Sequence, residues 1–172
     1  MKTSKKIIAL ITATLIILSM LVSCGDAFVG GPSIEGNIAT VVLDYGDNNY
    51  RVYEIELDKL TDKSQGAYSL LLYAKENEGL KLDAPNGPYG VYINSIGDLV
   101  PDASKNEYVA IYTSVESDFS VPTADFPEVK ELTYHGVTLK AAGVGISSLT
   151  VVERAVFLFR IEIFRCTRVK EG

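Results

Sequence analysis

The chain contains no tryptophan, one histidine and only two cysteines among its 172 residues. That leaves no cluster of His and Cys at the tight spacing that metal sites normally use. Basic charge is also in short supply. Sixteen Lys and Arg stand against 22 Asp and Glu, a formal net charge of −6. Phosphate backbones need clustered cations, so nucleic acid is excluded as a natural partner. Internal repeats and low-complexity tracts are absent, and the main long apolar run, Ile7 to Val22, sits at the very start of the chain.

That run is broken only by Thr12, Thr14 and Ser19 and follows Lys2, Lys5 and Lys6. A basic start, a short apolar core and small residues before a cut site describe a secretory signal. Its ending, Leu21-Val22-Ser23-Cys24, resembles the bacterial lipobox, in which the cysteine is lipidated and becomes the mature N-terminus. A thiol can carry diacylglycerol as a thioether, and small Ser23 leaves the bond before Cys24 open to a peptidase. The resemblance implies a lipoprotein, with lipid such as palmitate on Cys24, held at the extracytoplasmic face of a cell membrane. Asp26 lies one residue beyond the position that marks inner-membrane retention in some lipoproteins.

Removing residues 1–23 leaves 149, the size of one domain, long enough to bury a core without disulfides or a metal. Setting the three signal lysines aside leaves 13 basic residues against 22 acidic, a formal charge of −9. The expected membrane tie is therefore the lipid alone, not attraction to anionic headgroups. With Cys24 lipidated, Cys166 has no partner, and no disulfide framework is expected. Arg165 and Arg168 flank Cys166 and would lower a thiol pKa, though the plainer reading is a small half-buried hydrophobe.

Residues 24–37, rich in glycine, read as a flexible tether, and residues 38–168 as the folded domain. The domain opens with the β-branched run Ile38 to Leu43, the turn residues Gly46-Asp47-Asn48-Asn49, and an alternating run from Tyr50 to Leu57. Two strands about such a turn predict a hairpin. Ala67, Leu70, Leu71 and Ala74 then fall on one helical face. Asp62 and Gln65 offer a capping box, and Gly79 offers a stop. Strands are expected over Tyr89–Ile96, Glu107–Val115 and Leu132–Leu139, the last broken at His135-Gly136, with an exposed loop from Ser117 to Glu128. Ala155, Phe157, Phe159, Ile161 and Ile163 alternate against more polar neighbours such as Arg160 and Glu162, which predicts a strand central to the sheet.

Three of these pieces together resemble the bacterial domain family related to the C-terminal domain of transcobalamin. They are Tyr89-Gly90-Val91-Tyr92-Ile93-Asn94-Ser95-Ile96, then Tyr108-Val109-Ala110-Ile111-Tyr112, and Gly145-Ile146-Ser147-Ser148 shortly before the last strand. The resemblance spans residues 40 to 165 and rests on glycine and aromatic spacing. It implies an α+β, β-grasp-like fold, a hairpin and then one helix packed on a mixed sheet of about five to seven strands. Three positions depart from the family pattern. Val109 stands at the family's tryptophan, Ser114-Val115 at its Asn-Gly turn, and Val152-Glu153-Arg154 at its Gly-Asp step. In cobalamin carriers this domain covers one face of the corrin ring beside a helical domain that this chain lacks. Fold therefore transfers more readily than ligand.

Catalytic chemistry finds few carriers. His135 lies in a predicted turn, with Asp125, Glu128 and Glu131 as conceivable partners, and reads most simply as a solvated loop residue. Ser147-Ser148 lacks a nucleophile elbow. Gly143-Val144-Gly145 lacks the lysine and strand-turn-helix setting of a phosphate loop. Glu54, Glu56 and Asp58 read as a solvated strand face. No acid, base and nucleophile assemble, so a non-enzyme without a resident cofactor is expected. Tyrosine is the unusual supply, ten in all. Tyr92, Tyr108 and Tyr112 are the candidate ligand-binding residues, because tyrosine combines flat apolar area with a hydroxyl. The expected function is a membrane-anchored ligand-binding module, with cobalamin or another small molecule as ligand. The alternative is an interaction lipoprotein that docks another cell-envelope protein.

Overall fold

The computed structural model describes residues 36–124 and 126–164. The signal, Cys24 with the tether up to residue 35, Asp125 and Cys166 with its flanking arginines lie outside the described residues. Among the described residues, no helix is long and apolar enough to cross a membrane.

The hairpin forms where the pattern places it, with β1 at Ile38–Asp44 and β2 at Tyr50–Glu56 in antiparallel register. Asp47 and Asn48 both adopt positive φ, 51° and 59°, which a type I′ turn demands of its two central residues. Asn49 N–H closes the turn on the Gly46 carbonyl at 2.8 Å. The helix α1 spans Tyr68–Asn77 and buries Leu70, Leu71 and Ala74, with Ala67 buried at its N-cap, as the periodicity predicts. The capping box does not form. Asp62 lies too far ahead of the helix and accepts the Ser64 N–H at 2.7 Å instead, making a local turn. Gly79, at φ 71°, ends the helix and lets the Leu80 N–H return to the Ala74 carbonyl.

The expected strand over Tyr89–Ile96 is not one strand. β3 (Leu82–Asp83) pairs with β6 (Ser95–Ile96), and β4 (Asn86–Gly87) pairs with β5 (Gly90–Val91), as two small sheets. The segment pairs with itself, tied by Asn94 N–H and side-chain amide to Asp83, so it never joins the main sheet. β7 (Glu107–Thr113), β8 (Glu131–Tyr134), β9 (Val137–Ala141) and β10 (Val156–Ile163) complete the strands. His135 (φ 45°) and Gly136 (φ 82°) make the tight β8–β9 turn. The loop after β7 is less exposed than expected. Buried Asp118 accepts the Thr150 N–H at 2.6 Å and its hydroxyl at 2.9 Å, pinning the loop to the approach to β10.

Six strands form one mixed sheet in the order β2-β1-β10-β7-β9-β8, with β1 and β10 parallel and the other pairs antiparallel. With one α-helix among the described residues, the class is α+β. One face carries Val41, Leu43, Tyr53, Ile55, Phe157 and Phe159, packed under α1 with Ile93, Ile96, Ile146 and Leu149. The other face carries Val42, Tyr112, Val156 and Leu158, packed with Tyr134 and Leu139 of the β8–β9 hairpin. A flat six-stranded sheet with strands ~4.8 Å apart would hold its edges roughly 24 Å apart. Yet Tyr50 of β2 meets Tyr134 of β8 edge-on, with ring centroids 5.2 Å apart. The sheet therefore curls until its two edge strands touch through side chains, and this second core fills the curl.

Phe159 is fully buried in β10 between β1 and β7, so Phe159→Ala should destabilise by about 3–5 kcal/mol. Exposed Glu54→Ala on β2 should change stability by less than about 0.5 kcal/mol. Chemical denaturation of the two variants checks the assignment. Equal small losses would mean that β10 presents the wrong face to the helix.

Candidate functional site

The curl leaves an opening. β9 pairs with β7 only through Tyr112↔Ala141 and Thr113↔Lys140, whereas β10 pairs with β7 along its whole length. From Tyr112 back toward Glu107 the two strands diverge, and side chains of β7 and β10 floor the gap. By the pleat, Tyr108, Ala110 and Tyr112 share its inner face with Leu158, Arg160 and Glu162, their register partners in reverse order.

Glu162 is the centre of that floor, its side chain 12% exposed. The Tyr108 hydroxyl donates to it at 3.3 Å. The Tyr112 hydroxyl and the Lys130 ammonium each donate a short hydrogen bond to the same carboxylate. Burial pushes the Glu162 pKa up, but the bonds from Lys130 and Tyr112, the lysine charge and the Tyr108 bond together hold it below its ordinary 4.5. Tyr112 moves the opposite way. Burial and the bond to the Glu162 carboxylate raise its phenol well above the ordinary 10.0. Tyr108 is raised for the same reasons, burial first and the Glu162 charge second. The cluster is thus a carboxylate held ionised by neutral phenols and one ammonium.

Two residues along β10, Arg160 faces Asp44 of β1, its register partner, with Nη1 3.3 Å from the carboxylate. The Arg160 Nε is buried without a hydrogen-bond partner among the described residues. Over this floor lies a cleft of about 540 Å³ lined by Tyr108, Lys130, Arg160 and Glu162, with Phe126 and Phe164 among its walls. The two phenylalanine rings sit 6.4 Å apart and are 56% and 51% exposed.

The tyrosines chosen from the sequence are therefore divided. Tyr108 lines the cleft. Tyr112 lies beneath it, 1% exposed, and supports Glu162 instead of offering a ring to a ligand. Tyr92, 59% exposed, belongs to the self-paired segment on the helix side of the sheet, away from the other two. Cys24 lies outside the described residues. Glu162, Lys130, Arg160, Phe126 and Phe164 were not singled out by sequence reasoning. The available signal was a run of charge, Arg160 and Glu162, on one side of an otherwise apolar central strand. His135 packs against Tyr134 at 4.5 Å between ring centroids, in its turn beyond the far end of the second core. Among the described residues, no group of three or more His, Cys, Asp and Glu is placed to hold a metal ion.

No protein-family model and no curated protein sequence matches this chain. Among solved structures it is similar to a candidate metal-binding protein from Ruminococcus gnavus, at 19% identity and a TM-score of 0.48, covering 75% of this chain and 99% of that one. It is also similar to haptocorrin, solved in complex with Cbi, at 11% identity and a TM-score of 0.46. That likeness covers 74% of this chain but 25% of the haptocorrin chain, so this chain spans about a quarter of it. At these scores neither neighbour carries a function to this chain.

Glu162 has a folded pKa below its unfolded one, so its network contributes stability above about pH 4.5 that is lost as pH falls through the folded value. Glu162→Gln should cost about 1–3 kcal/mol at pH 7 and flatten the fall in stability toward acid. Denaturation midpoints measured from pH 3 to 7 read both effects. Tyr112, with its pKa raised, contributes in the other direction, stabilising below about pH 10 and losing that contribution as pH rises through its folded value. Its phenolate absorbance should appear last in an alkaline titration and be missing from Tyr112→Phe. An acid limb unchanged in Glu162→Gln would show that the carboxylate is not the group being held ionised.

Proposed function

We propose that this chain is a small-molecule-binding module, tethered by lipid on Cys24 to the extracytoplasmic face of a cell membrane, and that the ligand enters the cleft over Glu162. The single observation that carries the reading is the cleft itself. Small-molecule sites are concave, roughly 300–1,000 Å³, mostly apolar, with a few fixed polar groups. Here an exposed phenylalanine pair stands beside a buried, hydrogen-bonded carboxylate with Tyr108, Lys130 and Arg160 around it. Fixing the polar atoms through a network orders them before a ligand arrives, which lowers the cost of binding.

The fold supports a β-grasp-like reading: a hairpin, a helix packed over it, and the first strand paired in parallel with the last. The chain is read as a non-enzyme, since Glu162 is tied up as an ionised acceptor by Tyr112, Tyr108 and Lys130 and those donors are spent on holding it. A corrinoid is the ligand suggested by the transcobalamin-like resemblance. The cleft opens on one side, so it would enclose little of so large a ring, and affinity for cobalamin is expected at about micromolar or weaker.

A second reading, docking of an envelope protein, is favoured by one observation. Tyr89 is fully exposed at the tip of the β4–β5 hairpin, with Tyr92 exposed close by. Exposed tyrosines are common anchors of protein interfaces.

Cys24→Ala should abolish incorporation of labelled palmitate into the protein, and the absence of label from the unsubstituted protein, or label retained by the variant, would rule out a lipid on Cys24. A fragment screen of the full chain by ligand-observed NMR should yield binders whose signals are lost in Phe126→Ala/Phe164→Ala. Cobalamin added by calorimetric titration should give little or no heat. Binders that persist in the double variant, or no binders at all, would favour docking through Tyr89.

A further inference from the structure

We infer that the cleft over Glu162 selects amphiphilic acids, compounds with a flat apolar body and a carboxylate or similar anionic end. This rests on the binding-module reading and names its ligand class. The inference comes from the balance of donors and acceptors at the site. Glu162 is the cleft's one acidic side chain among the described residues, and both its oxygens are already occupied, Oε1 by Tyr112 and Oε2 by Tyr108 and Lys130. The cations are not so fully used. Lys130 is more than half exposed and spends one contact on Glu162, although an ammonium carries further donors. Arg160 has Asp44 beside Nη1, its buried Nε has no partner among the described residues, and its side chain, about a third exposed, lines the cleft wall with the rest of its guanidinium donors. A guanidinium fork has a geometry matched to a carboxylate.

The site therefore has spare donors and little spare acceptor capacity. A ligand bearing an acceptor completes it, whereas a ligand ammonium would have to displace Lys130 from Glu162. The remaining walls are apolar. Phe126 and Phe164 offer a surface for a flat hydrocarbon body. Lys130 and Arg160 are each ion-paired, with Glu162 and Asp44, so the preference for an anion comes from their remaining N–H donors and not from net positive charge.

Three isosteric probes of different charge test the inference on the purified full chain: 2-naphthoate, 2-naphthamide and 2-naphthylmethylammonium. Dissociation constants come from fluorescence titration, and amide chemical shifts of β7, β10 and residues 126–130 locate the site. The naphthoate should bind about tenfold or more tightly than either other probe, the difference expected of a charge-assisted hydrogen bond. Lys130→Gln, whose amide keeps a donor for Glu162, should bring the naphthoate close to the amide, with an unchanged backbone amide spectrum away from the cleft showing that the variant is folded. Equal binding of all three, tightest binding of the ammonium, or naphthoate affinity untouched by Lys130→Gln would overturn the acid preference while leaving a small-molecule cleft in place. Failure of every probe to shift the cleft signals, or binding unaffected by Phe126→Ala/Phe164→Ala, would overturn the cleft reading as well.

Discussion

The fold depends on β1 being buried on both faces. Ala39, Val41 and Leu43 point to one side and Thr40 and Val42 to the other, and each is essentially inaccessible. A strand of this kind is stable only if both sides are covered, since bare apolar area costs roughly 25 cal/mol per Å². Parallel pairing with β10 places another strand of the same character beside it, with Val156 to Phe159 buried on both faces. The helix and the self-paired segment cover one side. Among the described residues no helix packs on the other, and the curled sheet's own last hairpin supplies the cover.

That solution has a chemical consequence. Curling requires β9 to leave β7 after two residue pairs, and the far halves of β7 and β10 are then left without a neighbouring strand above them. Apolar residues there would be exposed. The chain instead places Tyr108, Arg160 and Glu162 at those positions, and Lys130, which precedes β8, reaches across to Glu162. The same network closes the end of the second core and floors the cleft. A buried carboxylate is costly unless its lone pairs are satisfied, and three donors meet that demand. The polar groups that stabilise the curl are thus also those a ligand would meet.

Much of the fold is legible in the residues. The hairpin, the buried helix face, β7, the His135-Gly136 turn and the central last strand all follow from periodicity and turn chemistry, which act over a few neighbours. The segment over Tyr89–Ile96 was harder, because its alternation fits a sheet strand equally well, and only local pairing with residues 82–87 decides against it. The site was half legible. Period two places Tyr108 and Tyr112 on one face, but it does not tell which of them is covered. Glu162 and Lys130 are 32 residues apart, and no local pattern joins them.

The sequence alone determines the class, one helix over a sheet, through short-range periodicities that any arrangement of these elements must respect. It also carries the lipobox-like ending at Cys24 and the acidic balance that argues against nucleic acid, since these are properties of composition and motif. Tertiary structure decided the curl, the second core and the meeting of Glu162 with Tyr108, Tyr112 and Lys130. The physical reason is that these are long-range consequences of closure. Whether β8 reaches β2, and what lies under the gap, depends on where β9 departs from β7, and that is set by the demand of β1 for cover on both faces.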